Sequence, residues 1–297
     1  MLFCKIKSNI YVLNFFQNSK IILTIKGKGE KLMFNDNYQS YNSIKEVHIN
    51  NIKHDEILNK YNFDQEYNSV ELILDDNIDN TENMFKDCTS ITEINLSNFE
   101  SSKVTSMDNM FERCSSLTSL DLSNFNTQLV KRMNFMFSGC SSLTSLDLSF
   151  FDISSVTTMD SMFSQCLSLT SLNLSNFNTS SIESLDSMFY NCNNLEYINL
   201  FNFNQSNLKP NMFVNIPNNL IICIDNITNI SIFSSLNDAN NLTNYNLYYN
   251  TFHYSYYNSF YNSIYNNPLS SAKTISQEIG KSEKTVYRAI KTLKESH

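Results

Sequence analysis

The sequence predicts an α/β repeat: a solenoid of 26-residue coils with a parallel β-sheet along one side and short helices along the other, followed by a small helical module at the C-terminus. Three observations predict it. Phe85, Phe111, Phe137, Phe163 and Phe189 recur at 26-residue intervals, and so do Cys88, Cys114, Cys140, Cys166 and Cys192. After the cysteines come Leu-x-x-Leu-x-Leu segments: Leu117, Leu120 and Leu122; Leu143, Leu146 and Leu148; Leu169, Leu172 and Leu174. The last 41 residues switch to a helical spacing of apolar positions. A strict period of this length means one supersecondary unit stacked on copies of itself.

Residues 1–41 lie outside the repeat and are expected to cap it, because the first coil of a stack would otherwise expose its core. Lys20–Lys26 reads as a β-strand ended by Gly27-Lys28-Gly29. The stack itself is expected over 42–225. Ile44, Val47 and Ile49 are a worn copy of the leucine pattern, Val70–Leu74 is a strand, and Leu220–Ile224 is the last one. The coil between Phe189 and Phe213 is two residues short. Within a regular coil, Met107, Met110, Phe111 and Cys114 sit at i, i+3, i+4 and i+7, the spacing of one helical face. Ser106 or Thr105 would cap that helix, with Asp108 near its positive end. Leu120 and Leu122 alternate with Ser119 and Asp121, so the leucines point inward and the polar pair outward.

Phrases such as Cys114-Ser-Ser-Leu-Thr-Ser-Leu-Asp-Leu-Ser-Asn-Phe-Asn-Thr127 and Val156-Thr-Thr-Met-Asp-Ser-Met-Phe163 resemble the BspA-like leucine-rich repeat family, which includes mycoplasma lipoprotein-associated and protist surface proteins. The resemblance covers about Ser69 to Asp225. It implies a leucine-rich-repeat solenoid that acts as a non-enzymatic recognition scaffold, often displayed on cell surfaces. In one respect the sequence departs from ordinary leucine-rich repeats: Phe125, Phe151 and Phe177 stand where the common pattern has Asn, so a stack of rings is expected in place of an Asn ladder.

Residues 226–256 lack periodicity and read as an end cap and linker. Over 257–297, Ala272–Ile279 and Glu283–Lys294 read as two helices joined by Gly280-Lys281-Ser282, with Ile275 and Ile279, then Val286, Ile290 and Leu293, on their apolar faces. The spacing resembles a helix-turn-helix of winged-helix regulators. Gly suits a left-handed C′ position and Ser a helix N-cap.

Charge divides the chain in the same way. The whole carries −8, but residues 270–297 hold six basic and three acidic side chains, net +3, which leaves −11 on the rest. The chain as a whole is therefore no natural binder of polyanions, and a basic tail on an acidic body suggests two modules with different partners. No apolar run reaches the ~18–20 residues of a membrane span. The absence of a clear signal peptide favours an intracellular protein, whereas the family resemblance implies surface display.

Each candidate site has a plain alternative. The cysteine column reads as a redox ladder or, more simply, as small core residues. The outward column Asn95, Asp121, Asp147, Asn173 and Asn199, beside Glu93, Ser119, Ser145, Ser171 and Tyr197, is a ribbon that a protein partner could read, or a solvated ladder. The partner-binding candidates are Asp121, Asp147, Asn173, Tyr197 and Asn199, with Tyr197 the expected hot spot by residue type. In the alternative reading the chain binds double-stranded DNA through Lys281, Ser282, Lys284, Thr285, Arg288 and Lys291, with Lys294 adding a phosphate contact, while the repeats recruit a partner. Four scattered histidines and four glycines offer no catalytic constellation, no metal site and no phosphate-cradling loop. The expectation is a protein-interaction scaffold that is not an enzyme and uses no cofactor.

Overall fold

The computed structural model describes residues 3–6, 9–12, 19–217, 220–224 and 246–249. Fourteen strands lie among them: β1 (Phe3–Ile6), β2 (Asn9–Val12), β3 (Lys20–Lys26), β4 (Gly29–Leu32), β5 (Ile44–Ile49), β6 (Ile52–His54), β7 (Lys60–Phe63), β8 (Tyr67–Leu74), β9 (Ile91–Asn98), β10 (Ser119–Asp121), β11 (Ser171–Asn173), β12 (Tyr197–Asn199), β13 (Ile221–Ile224) and β14 (Asn246–Tyr249).

The predicted fold class is overturned. Among the described residues sheet predominates, 29% strand against 5% helical, and no helix reaches seven residues. Among the described residues no single parallel sheet runs along one side and no α-helix lines the other. A six-stranded mixed sheet has the order β10-β9-β3-β8-β5-β6, a second sheet has the order β11-β12-β13-β14, and β1-β2 and β4-β7 are two-stranded. The helix-turn-helix reading of 257–297 and the linker reading of 226–256 fall largely or wholly outside the described residues.

The failed helices show why. Met110 N donates to Met107 O, Glu112 N to Asn109 O and Cys114 N to Phe111 O, at 3.1–3.2 Å. Between them, Asn109 N donates to Asn134 O, Phe111 N to Met136 O and Arg113 N to Ser138 O, at 2.7–2.9 Å, in the next coil. Amides thus alternate between closing a three-residue turn and binding the neighbouring coil, whereas a helix sends each to residue i−4. Asn109 and Arg113 hold φ of 57° and 58°, a left-handed conformation that ends any right-handed helix. The same two positions recur as Asn83 and Asp87, Phe135 and Gly139, Ser161 and Gln165, and Ser187 and Asn191. A ribbon of successive turns buries positions i, i+3, i+4 and i+7 as a helix does: Met107, Met110, Phe111 and Cys114 are each 0% exposed. Eight residues are too few for a helix to be stable by itself, so the ribbon that bonds its neighbours prevails.

Parallel bridges at Asn80, Ser106, Arg132, Thr158 and Ser184 tie the ribbons into one stack. Rings continue it inside. Phe85, Phe111, Phe137, Phe163, Phe189 and Phe213 stack with centroids 5.6–5.9 Å apart, and Phe99, Phe125 and Phe151 form a second column at 5.9 and 6.1 Å. Cys88, Cys114, Cys140, Cys166 and Cys192 are free thiols in the core. Cys114, Cys140, Cys166 and Cys192 each donate to the carbonyl of the Phe 29 residues earlier, at 3.0–3.2 Å. Burial pushes these thiols up, Cys192 to about 12.

At the N-terminal end, β3 lies antiparallel between β8 and β9. It therefore joins the repeat to the preceding sheet through its edges. The worn repeat read at Ile44–Ile49 is instead β5, which is antiparallel to β8 and forms a hairpin with β6. Asn50 and Asn51 turn that hairpin with φ of 50° and 67°, the pair of positive values a two-residue type I′ turn requires.

Candidate interaction face

The sheet side of the stack carries the outward column. Asn95 on β9 and Asp147 are exposed, Asp121 on β10 and Asn173 on β11 are half-buried, and Asn199 on β12 is buried. Each side chain has a local task. Asn95, Asp121, Asp147, Asn173 and Asn199 each accept, through Oδ1, the backbone N–H two residues on: Ser97, Ser123, Ser149, Ser175 and Phe201, at 2.9–3.1 Å. These are Asx turns, which reverse the chain at the end of each strand segment. One carboxylate oxygen of Asp121 and of Asp147 stays outside that bond.

Tyr197, the expected hot spot, lies buried rather than on the open face. Tyr197 and Asn199 are each 8% exposed, and Ile221 beside Tyr197 is 5% exposed. Both alternating sets of side chains on β12 are buried, as in a strand covered on both faces. Tyr197 also hydrogen-bonds the Cys223 thiol, which partly offsets the rise that burial imposes on it. The accessible face therefore runs from Glu93 and Asn95 to Asn173 and stops before β12. The DNA-contact candidates Lys281, Ser282, Lys284, Thr285, Arg288 and Lys291 lie outside the described residues.

Sequence reading missed a second polar ladder, on the turn ribbons. Asp108 Oδ1 accepts Asn134 N at 2.8 Å, Asn134 Oδ1 accepts Asp160 N at 2.9 Å, and Asp160 Oδ1 accepts Asp186 N at 2.8 Å. Asp108 sits at no helix N-terminus, because no helix forms there. Its real partners are the next coil's amide and Arg132, whose Nε lies 2.9 Å from Oδ2. Burial pushes the Asp108 carboxyl up, with the Asn134 amide and Arg132 opposing. Arg132 also reaches Glu82 at 3.1 Å, and Arg113 pairs with Asp87 through two nitrogens at 2.5 and 3.0 Å. A recurrence of Asp or Asn at positions 108, 134, 160 and 186 was visible in the sequence and would have found the ladder. Hydroxyls do the same at another corner, where buried Ser101, Thr127 and Thr179 accept the amides of Asn126, Asp152 and Asn204 at 2.7–2.8 Å.

Among the described residues no helix is long and apolar enough to cross a membrane. A model of the family described as "Mycoplasma protein of unknown function, DUF285" matches residues 31–146 and 120–220. No curated protein and no solved structure matches the chain. The match carries neither the finer BspA-like leucine-rich-repeat assignment nor the helix-turn-helix. The two matched segments together span well over half of the sequence, and the chain therefore belongs to DUF285, a Mycoplasma protein family of unknown function.

Proposed function

We propose that this protein is a non-enzymatic scaffold that holds a protein partner on the sheet side of its stack, between Glu93 and Asn173. The observation that supports this is the contrast between the two sides of the coil. On the turn side, polar groups such as Asp108, Asn134 and Asp160 are consumed in coil-to-coil bonds. On the sheet side, Asp121 and Asp147 each use one oxygen for an Asx turn, and the serines beside them, Ser119 and Ser145, are exposed. A rigid core behind a row of accessible polar groups loses little conformational freedom when a partner docks. The resemblance to BspA-like recognition repeats points the same way.

The test compares capture of proteins from the source cells by the full chain and by a variant with Asp121→Ala, Ser145→Ala and Asp147→Ala. A partner retained by the native chain and lost by the variant, with unchanged thermal unfolding, supports the reading. Identical capture by both removes this face as the binding surface.

A further inference from the structure

The sheet side contains one discontinuity. In the coils around it, Leu174 N donates to Asn199 O at 2.9 Å and Leu200 N to Cys223 O at 2.8 Å. Among the described residues neither Leu122 N to Asp147 O nor Leu148 N to Asn173 O is bonded, and residues 145–147 form no strand. The turn side of the same coils stays continuous through the Ser106–Arg132 and Arg132–Thr158 bridges. The stack is therefore open only on its sheet side, where residues 145–147 form a ladder with neither neighbouring coil, and the seam between residues 119–124 and 145–150 is the part of this gap that borders the edge of β10.

Two features set the seam beside β10 apart from the rest of the sheet side. Asn124 and Asn176 clamp the preceding coil, their Nδ2 reaching Ser97 O at 2.8 Å and Leu148 O at 3.1 Å. Asn202 clamps Ser175 O in the same way. At the corresponding place in the intervening coil stands Phe150, which has no donor to offer and is 63% exposed. Across the same seam Asp121 faces Asp147, like charges on adjacent segments, which disfavours pairing. Every other neighbouring pair in that column includes an Asn. Inside the seam, Leu120 and Leu146 are only partly buried, whereas Ile94, Leu172 and Ile198 in the same column are 0–2% exposed.

We propose that this seam binds an extended, basic peptide segment of a partner protein, one that carries Lys or Arg beside an apolar residue. This names the partner class for the scaffold reading above and rests on it. Among the described residues β10 ends the six-stranded sheet, and a backbone edge without a ladder partner is the feature that captures an added strand. Leu120, Leu146 and Phe150 supply apolar contact. Asp121 and Asp147 supply the charge: neither takes part in an ion pair among the described residues, and a cation between them relieves their repulsion. An acidic peptide would add to that repulsion.

The test uses the full chain with a seven-residue alternating Lys/Val peptide and its Glu/Val counterpart, at low and moderate salt. Binding is read by fluorescence anisotropy and located by amide hydrogen exchange. The expected result is binding of the Lys/Val peptide alone, weakened by salt, with new protection at 119–121 and 145–149. Phe150→Asn restores the clamp residue of the neighbouring coils and is expected to weaken binding at least tenfold. Asp121→Asn with Asp147→Asn, which copies residues found elsewhere in the column, is expected to do the same. Equal binding to the Phe150→Asn chain, equal binding of the Glu/Val peptide, or no binding at low salt overturns the proposal. Protection confined to 93–95 also overturns the seam, while leaving the broader face reading in place. That reading stands or falls separately on the capture experiment.

Discussion

The rings of Phe137 and Phe163 lie 5.7 Å apart with their planes 9° from parallel, and both are fully buried. Each ring contacts its counterparts in the coils on either side, so removing one opens a gap in the column. Phe163→Ala is expected to cost about 3–5 kcal/mol, the usual range for truncating a buried Phe. Phe163→Leu, which fills more of the space, should cost less. Urea unfolding followed by circular dichroism checks both, and a loss below about 1 kcal/mol for the alanine variant would show that the column is not a principal support.

Phe135 offers the opposite case. It is 41% exposed and holds φ at 56°, where Asn83 and Asn109 stand in the preceding coils. Asn tolerates the left-handed region because its short polar side chain bonds locally, whereas a bulky residue is strained there. Phe135→Asn is therefore expected to stabilise the protein by roughly 0.5–1 kcal/mol. A fall in the unfolding midpoint would refute this.

The buried thiols make a prediction about alkaline pH. Their folded pKa values are raised above the ordinary 9.0, to about 12 for Cys192. The folded state therefore retains protons that the unfolded chain releases above about pH 9. Stability contributed by this difference is complete below pH 9 and declines as pH rises from 9 toward 12. Tyr38, raised by burial from 10.0 to about 12, adds to the decline over the upper part of that window. Denaturant midpoints across pH 8–11 measure it, and Cys192→Ala should flatten the curve. At pH 8, Cys114, Cys140, Cys166 and Cys192 should react with iodoacetamide only as fast as the protein opens.

Asp108 is a charge held in a largely buried place. Its pKa is raised, so the folded state disfavours the ionised form and the carboxylate costs stability once pH exceeds the unfolded value. Asp108→Asn keeps the oxygen that accepts Asn134 N, and Asn occupies the same place in the next coil at position 134. The loss is the ion pair to Arg132, a side chain that is half exposed, which limits its value to about 0–1 kcal/mol. The variant is expected to be near neutral at pH 7 and to lower stability relative to the native chain at pH 3. Strong destabilisation at pH 7 would show that the ion pair dominates.

The period was legible in the sequence because Phe, Cys, Met and Leu fill the inward positions, and those columns are the core. The secondary structure was not, for a definable reason. The spacing i, i+3, i+4, i+7 cannot distinguish a helix from a ribbon of turns, since both bury the same side chains. The signal that separates them is the residue type at the left-handed positions: Asn83, Asp87, Asn109, Gly139 and Asn191 are residues suited to positive φ, placed where a helix would need negative φ. On the candidate face, the outward direction of Asp121 and Asp147 could be read from alternation along the strand. The burial of Tyr197 could not, because it depends on what covers β12. Phe150 stood out of the Asn column in the sequence, yet its significance appears only when Asn124 and Asn176 are seen to clamp neighbouring coils.

The stacking bonds have a consequence for how such a chain changes length. Thr81 bonds Ser106, Phe111 bonds Met136 and Phe163 bonds Met188, always one coil onward. Duplicating or deleting a whole 26-residue unit leaves each surviving residue with a neighbour of the same kind, whereas an insertion within the turn ribbon throws the Phe, Met and Cys columns of that coil out of register with its neighbours. The shortened coil shows where the exception lies: although Phe213 follows Phe189 by 24 residues, Phe189 N still bonds Met212 O at 2.9 Å and the two rings still stack at 5.6 Å. The corner between Phe203 and Met212 has absorbed the loss. Lineages carrying this architecture should therefore differ by integral coils and by edits at corners, with the ribbons themselves fixed in length.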